Sequence, residues 1–210
     1  GMDLLGLFKD TEGQMRWLIV AVDYFTKWIE AKPLSAITSA RVQKFLKRSI
    51  IARFGIPAEI VTNNGTQFAD GTFKAMMTGF YIKHHFASVE HPQSNGQAEA
   101  ANKVILDGLK KRMHKAGPNW VEQLYYVLWA YRTTAQTATG ETPFRMTYGC
   151  EAMITVEIGQ SSWRRQHISQ ENDNDVALAA ELELIEEVRT APHRRDLHQK
   201  GKLAQRFNKR

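Results

Sequence analysis

Three residues far apart in the chain have the side chains and local settings that phosphodiester chemistry uses. Asp3 sits in the apolar run MDLLG, Asn63 in VTNNG and Glu99 in GQAEAANK. These settings predict a first strand, a turn leaving a later strand, and the first turn of a long helix. Open α/β sheets gather ligands at such strand ends. The chemistry suited to clustered side-chain oxygens is two-metal phosphoryl transfer. Mg²⁺ and Mn²⁺ are hard ions that prefer carboxylate oxygen and keep several waters. A pair of them roughly 4 Å apart activates a water or hydroxyl and stabilises the departing oxygen. Two dications that close repel, so their site needs several negative ligands.

The elements that must position these residues are legible from periodicity. Residues 2–8 and 16–24 are apolar and β-branched, with a turn signal between them, and 27–33 reads as a third strand ending at Pro33. From Thr38 the spacing of Val42, Phe45, Leu46, Ile50 and Phe54 predicts a helix stopped by Gly55 and Pro57. A short strand at 58–62, a helix at 70–79 and a strand at 81–86 follow. The polar loop HPQSNGQ at 91–97 leads into a helix from 98 to 115, and a further helix covers 119–134. Strands then alternating helices and strands give an α/β class with a mixed sheet flanked by helices.

Taken in order, AVDYFTKWIEA, VTNNGTQF, HPQSNGQAEAANK and TPFRMTYGCEA resemble a retroviral-type integrase catalytic core. The likeness is greatest to integrases of gypsy-type long-terminal-repeat retrotransposons of the plant kind, and it covers residues 1–160. It implies an RNase H-like fold and an Asp-Asp-Glu triad that binds two divalent metals, Mg²⁺ or Mn²⁺. It also implies strand transfer, in which an activated water cuts DNA and the exposed 3′-hydroxyl then attacks a target. By motif, Asp3 takes the first acidic position and Glu99 the third, both as catalytic residues and metal ligands. The second acid belongs in a TDNG turn, and here that position is Asn63. Thirty-five residues separate Asn63 from Glu99, the family spacing, so the triad reads D-N-E.

An amide offers a neutral oxygen where the family has a carboxylate. The resemblance therefore predicts weakened metal binding and an inactive or severely impaired enzyme. The alternative is a catalytically dead DNA-binding or dimerisation module derived from such an integrase. Taken alone, Asn63-Asn64-Gly65 is also a plain turn sequence. Asp23, on the neighbouring strand, is a rival acid that either compensates for Asn63 or is structural. Two departures fit drift: Tyr81 stands where relatives carry Gly, and Thr155 where they carry Pro.

On the long helix Glu99, Lys103 and Lys110 fall within about 40° of one another, with Asn102 beside them. A carboxylate flanked by lysines suits an approaching phosphate backbone. Gln93, Ser94, Asn95, Asn102, Lys103 and Lys110 are the expected DNA contacts, reading phosphates rather than sequence. Ala98, Ala101, Ile105 and Leu109 form the opposing core stripe. Trp28, Trp120 and Trp129 read as core or interface aromatics, and His84-His85 as structural.

The balance of 28 basic to 22 acidic residues, net +6, suits an anionic partner. One cysteine excludes an internal disulfide and a cysteine-rich zinc site. No apolar run is long enough to span a bilayer and no signal pattern opens the chain, which predicts no membrane association and no secretion. Action on DNA implies a nuclear location, with a cytoplasmic one otherwise, and the resemblance implies a homodimer. GMDLLGLF already reads as the inside of a strand, predicting a core truncated at its N-terminus.

Residues 161–210 form a linker and charged extension. Residues 171–187 hold seven acids and no Lys or Arg, and 189–210 hold eight basic residues and one acid. A long helical tail is expected, and two readings of it stand: a solvated charged helix, or a segment that contacts a partner or DNA.

Overall fold

Residues 1–8, 14–87, 96–116, 119–153, 185, 189–202 and 204–205 are described in the computed structural model of the chain. WLIVAV forms the central strand β2 (Trp17–Val22), between β1 (Met2–Gly6) and β3 (Ile29–Leu34). Both pairings are antiparallel, with Asp3 opposite Val20 and Leu18 opposite Pro33. Pro33 lies inside β3 rather than ending it. An edge strand tolerates the missing N–H, and β3 is the edge of this ladder. β4 (Glu59–Thr62) and β5 (Lys83–Phe86) form a separate parallel pair. The expected mixed sheet is thus two ladders. β4 lies beside β1, and there side chains, described below, connect the two.

Cross-strand partners share a face, and successive residues alternate between faces. Met2, Ile19 and Ala21 accordingly face one way and pack with Val42, Phe45 and Leu46. Those three come from α1 (Ser39–Phe45) and the π-helical stretch Leu46–Ile51 that continues it into α2 (Ala52–Phe54). Thr38 caps α1 by accepting from the Arg41 N–H. The wider π repeat carries Phe54 off the apolar stripe, leaving it 41% exposed with the Arg53 guanidinium over its ring. Phe68 of α3 (Thr66–Ala69) and Phe73, Met76 and Met77 of α4 (Gly71–Gly79) complete this core.

Asp3, Leu18, Val20 and Val22 face the other way, toward α5 (Gly96–Ala116), which packs on β1 and β2. Ala98, Ala101, Ile105 and Leu109 are buried there, as the periodicity predicts. α6 (Trp120–Arg132) buries Trp120, Leu124, Val127 and Leu128. Gly108 lets α5 and α6 approach closely: a β-carbon there would meet Val127 Cγ1 at 2.8 Å.

The chain divides into two compact units, residues 1–24 with 29–130 and residues 25–28 with 131–210. In the second, Trp28 packs edge-on against Tyr148 of α7 (Pro143–Tyr148) and lies under the Arg132 guanidinium. Sequence periodicity gave no sign of α7, whose six residues are capped by Thr142 and open with Pro143. Within the same unit, helical residues 189–202 dock through their own side chains. Arg189 donates to the carbonyls of Met146 and Thr147, Arg195 to that of Thr139, and Gln199 to that of Thr137. Buried Asp196 pairs with Lys27 at 3.0 Å and with Lys200 at 2.6 Å. This part of the tail is therefore not a simple solvated helix. Residues 154–184, which include the boundary expected near 160, Thr155 and most of the acidic run, lie outside the described residues.

Candidate catalytic site

β1 and α5 bring Asp3 and Glu99 within electrostatic reach, and the turn after β4 adds Asn63. Asp3 is the hub. Its Oδ1 accepts from the Leu4 N–H at 2.8 Å and from Asn63 Nδ2 at 2.8 Å, and its Oδ2 accepts from Asn102 Nδ2 at 2.7 Å. Burial pushes the Asp3 carboxyl above the usual carboxylate range. The hydrogen bonds from Leu4 and Asn102 pull it back, and the negative charge of Glu99 pushes it up again. Tyr24 is raised to about 12, first by burial and then by the charge of Asp3.

The Asn63 amide has a defined orientation, because its Oδ1 accepts from the Gly65 N–H at 3.0 Å. This is an Asx turn, so the plain-turn reading of NNG is true as far as it goes. The other end of the same amide reaches Asp3, sixty residues away in sequence. Behind it Thr62, fully buried, donates its hydroxyl proton to the Asn63 carbonyl at 2.9 Å. With that proton committed, His84 Nε2 must be the donor in its 2.9 Å bond to Thr62 Oγ1. Burial first, then the nearby charges of His85 and Lys74, push the His84 imidazole below its ordinary pKa. His84 and His85 are thus structural supports of β5, His85 lying 3.5 Å from Glu59.

Glu99, Lys103 and Lys110 are exposed on α5. Asn102 is not: it is 5% exposed and turned toward Asp3, away from the surface expected to meet DNA. Positions 98, 101, 102, 105 and 109 form one helical stripe, and Asn102 is its polar member. That signal was present in the spacing; only the polarity of the side chain argued for an outward position. Gln93, Ser94 and Asn95 lie outside the described residues. Farther along α5, Arg112 donates to Gln123 at 2.9 Å and covers the Tyr126 ring.

Asp23 is exposed just beyond β2. Among the described residues, no three His, Cys, Asp or Glu side chains are grouped so as to hold a metal ion. Asp23 therefore does not restore a third acid beside Asp3 and Glu99. The donor set does not fit a two-cation centre, which needs several carboxylates. It offers one half-buried carboxylate already bonded to three N–H groups, one exposed carboxylate and two amides.

Residues 2–92 match the family model of the integrase core domain. That stretch resembles the integrase core of retroviral polyproteins. The chain is 31% identical over 148 residues to the Gag-Pol polyprotein of avian reticuloendotheliosis virus, covering 70% of this chain and 13% of the relative. It is 34% identical over 135 residues to that of feline leukemia virus, covering 64% of this chain and 8% of the relative. The chain thus spans about an eighth of the length of the first of these relatives and less of the second. The HTLV-2 integrase catalytic core domain in complex with magnesium superposes with a TM-score of 0.56 at 21% identity, over 70% of this chain and 94% of that one. A chain of the simian T-cell lymphotropic virus intasome in complex with PP2A regulatory subunit B56 gamma gives 0.61 at 23%, over 73% and 55%. Both structures share the fold of this chain, a mixed α/β arrangement of strands and flanking helices.

Proposed function

We propose that this chain derives from the integrase core of a gypsy-type, plant-like long-terminal-repeat retrotransposon, that it binds DNA through phosphate contacts, and that its strand-transfer activity is lost or severely impaired. The observation that carries the reading is the convergence of Asp3, Asn63 and Glu99 from β1, the β4 turn and α5, with an amide at the middle position. The relatives are viral polyproteins, and the assignment to a retrotransposon rests on the motifs HPQSNGQAEAANK and TPFRMTYGCEA together.

Chemically, Glu99 and the lysines on its helix face divide the work. Exposed Lys103 and Lys110 hold phosphate oxygens by charge, which orients a backbone without reading bases. Glu99 keeps an open carboxylate at the mouth of the site, while the Asp3 carboxylate is turned inward to protein donors. Loss of a ligating acid from the triad removes several kcal/mol of transition-state stabilisation, and about 1.4 kcal/mol is already tenfold in rate. One specific observation favours the dead-module reading for the present activity: the Asn63 amide is bonded to the first acid itself. The chain acts as a homodimer and, when engaged with DNA, in the nucleus.

Fluorescence anisotropy with a labelled duplex tests the binding half of this proposal. Affinity is expected to fall steeply with salt, with a log–log slope of about −0.9 per phosphate neutralised. Charge reversal of Lys103 and Lys110 together flattens that slope. A slope near zero for the unmodified chain would remove DNA binding from the proposal.

A further inference from the structure

An Asp at position 63, in the conformation Asn63 adopts, would place a carboxylate oxygen 2.8 Å from Asp3 Oδ1, in place of Nδ2. Two half-buried like charges at that distance repel strongly unless a cation lies between them or they share a proton. Asn63 removes this conflict at both ends. Its oxygen takes the Gly65 N–H and its NH₂ donates to Asp3. Asn102 satisfies the other Asp3 oxygen, and the Leu4 N–H adds a third bond. Each donor comes from a different element: β1 itself, the turn after β4, and α5.

We propose that Asn63 has converted an ancestral cation-dependent site into a cation-free hydrogen-bonded lock that joins β1, β4 and α5. The Asn63 NH₂ stands where positive charge was needed, and it engages the Asp3 lone pair that a cation would use. Among the described residues the two ladders share no backbone pairing between β1 and β4, so this side-chain bridge adds the polar link between elements that otherwise meet through a shared apolar core. The chain is therefore as stable in chelator as in excess Mg²⁺ or Mn²⁺. The inference rests on the reading of Asp3, position 63 and Glu99 as a former metal triad. It concerns stability, however, so it stands or falls apart from any effect on DNA binding.

Thermal unfolding of the intact chain and of Asn63→Asp, each in EDTA and in a Mn²⁺ titration, tests it. The native chain is expected to unfold at the same temperature under both conditions. Asn63→Asp is expected to unfold several degrees lower in EDTA and to recover with Mn²⁺. That recovery amounts to a rise of about 5 °C or more when Mn²⁺ reaches 100 times its Kd. A saturable Mn²⁺-induced rise in the native chain would overturn the lock, as would equal stability of the two proteins in EDTA. If Asn63→Asp does not fold, Mn²⁺ binding by electron paramagnetic resonance decides the question on the native chain against Asp3→Asn. Equal residual binding supports the lock, and a site present only in the native chain contradicts it.

Discussion

Asp3 carries an electrostatic burden that its partners only partly relieve. Its carboxyl sits above the usual carboxylate range because burial and the Glu99 charge outweigh the bonds from Leu4 and Asn102. A proton is therefore held more tightly in the folded chain than in the unfolded one. From this group alone, stability is highest at low pH and falls as pH rises from the ordinary carboxylate value through the raised folded one. Asp196 works the other way: its carboxyl is lowered by the hydrogen bonds and charges of Lys200 and Lys27, which outweigh its burial. Its contribution is present at neutral pH and fades as pH drops through its folded value. The difference in unfolding free energy between the native chain and Asp3→Asn, followed from pH 3 to 7, isolates the first effect. We expect the native chain to lose ground against the variant as pH rises, and a pH-independent difference would contradict the assignment. At this scale the sequence pointed to position 63 as an exchanged residue but not to what its side chain does. Asn63 bonds to a residue sixty positions away, and that contact exists only once β4 lies beside β1.

Strands, helices and their stop signals follow local rules, which is why the periodicity of Val42, Phe45 and Leu46, or of Ala98, Ala101, Ile105 and Leu109, located them. What it missed has local causes too. The π-helical stretch at 46–51 shifted Phe54 outward, and the polarity of Asn102 disguised its place on a buried stripe. Pro33, read as a strand terminator, was admitted because β3 is an edge. The departure at position 81 has a conformational meaning that sequence alone did not reveal. Tyr81 follows α4 with φ of 56° and is 93% exposed, so it occupies the left-handed region without burying its ring. Glycine carries no β-carbon penalty there, whereas an L-residue pays about 1–2 kcal/mol. Tyr81→Gly is therefore expected to stabilise the chain by about 1 kcal/mol, after the entropy that glycine adds to the unfolded state. Chemical denaturation measures this, and a loss of stability would show that the ring contributes contacts worth more than the strain.

Within the unit formed by residues 25–28 and 131–210, the C-terminal helix is a structural clamp. Arg189, Arg195 and Gln199 spend their donors on backbone carbonyls of residues 137–147. Lys27 and Asp196 are both nearly buried. Removing one partner of a buried ion pair leaves the other charge uncompensated, at a cost of about 3–5 kcal/mol. Because Asp196 also holds Lys200, Asp196→Ala is expected to destabilise the unit by about 3 kcal/mol. A free, DNA-contacting tail would instead tolerate the change with no shift in unfolding. The opposed charge blocks of the tail were plain in the sequence; the docking of residues 189–202 was not, because charge patterning does not specify which carbonyls an arginine will find.

The central claim is that position 63 is the second acid of an Asp-Asp-Glu triad, now an amide. A disintegration-type strand-transfer assay with Mn²⁺, on this chain and its Asn63→Asp reversion side by side, tests it most directly. The account predicts product from the reversion and little or none from the unmodified chain. Equal turnover by the two would contradict it, because another residue would then have to supply the second acid.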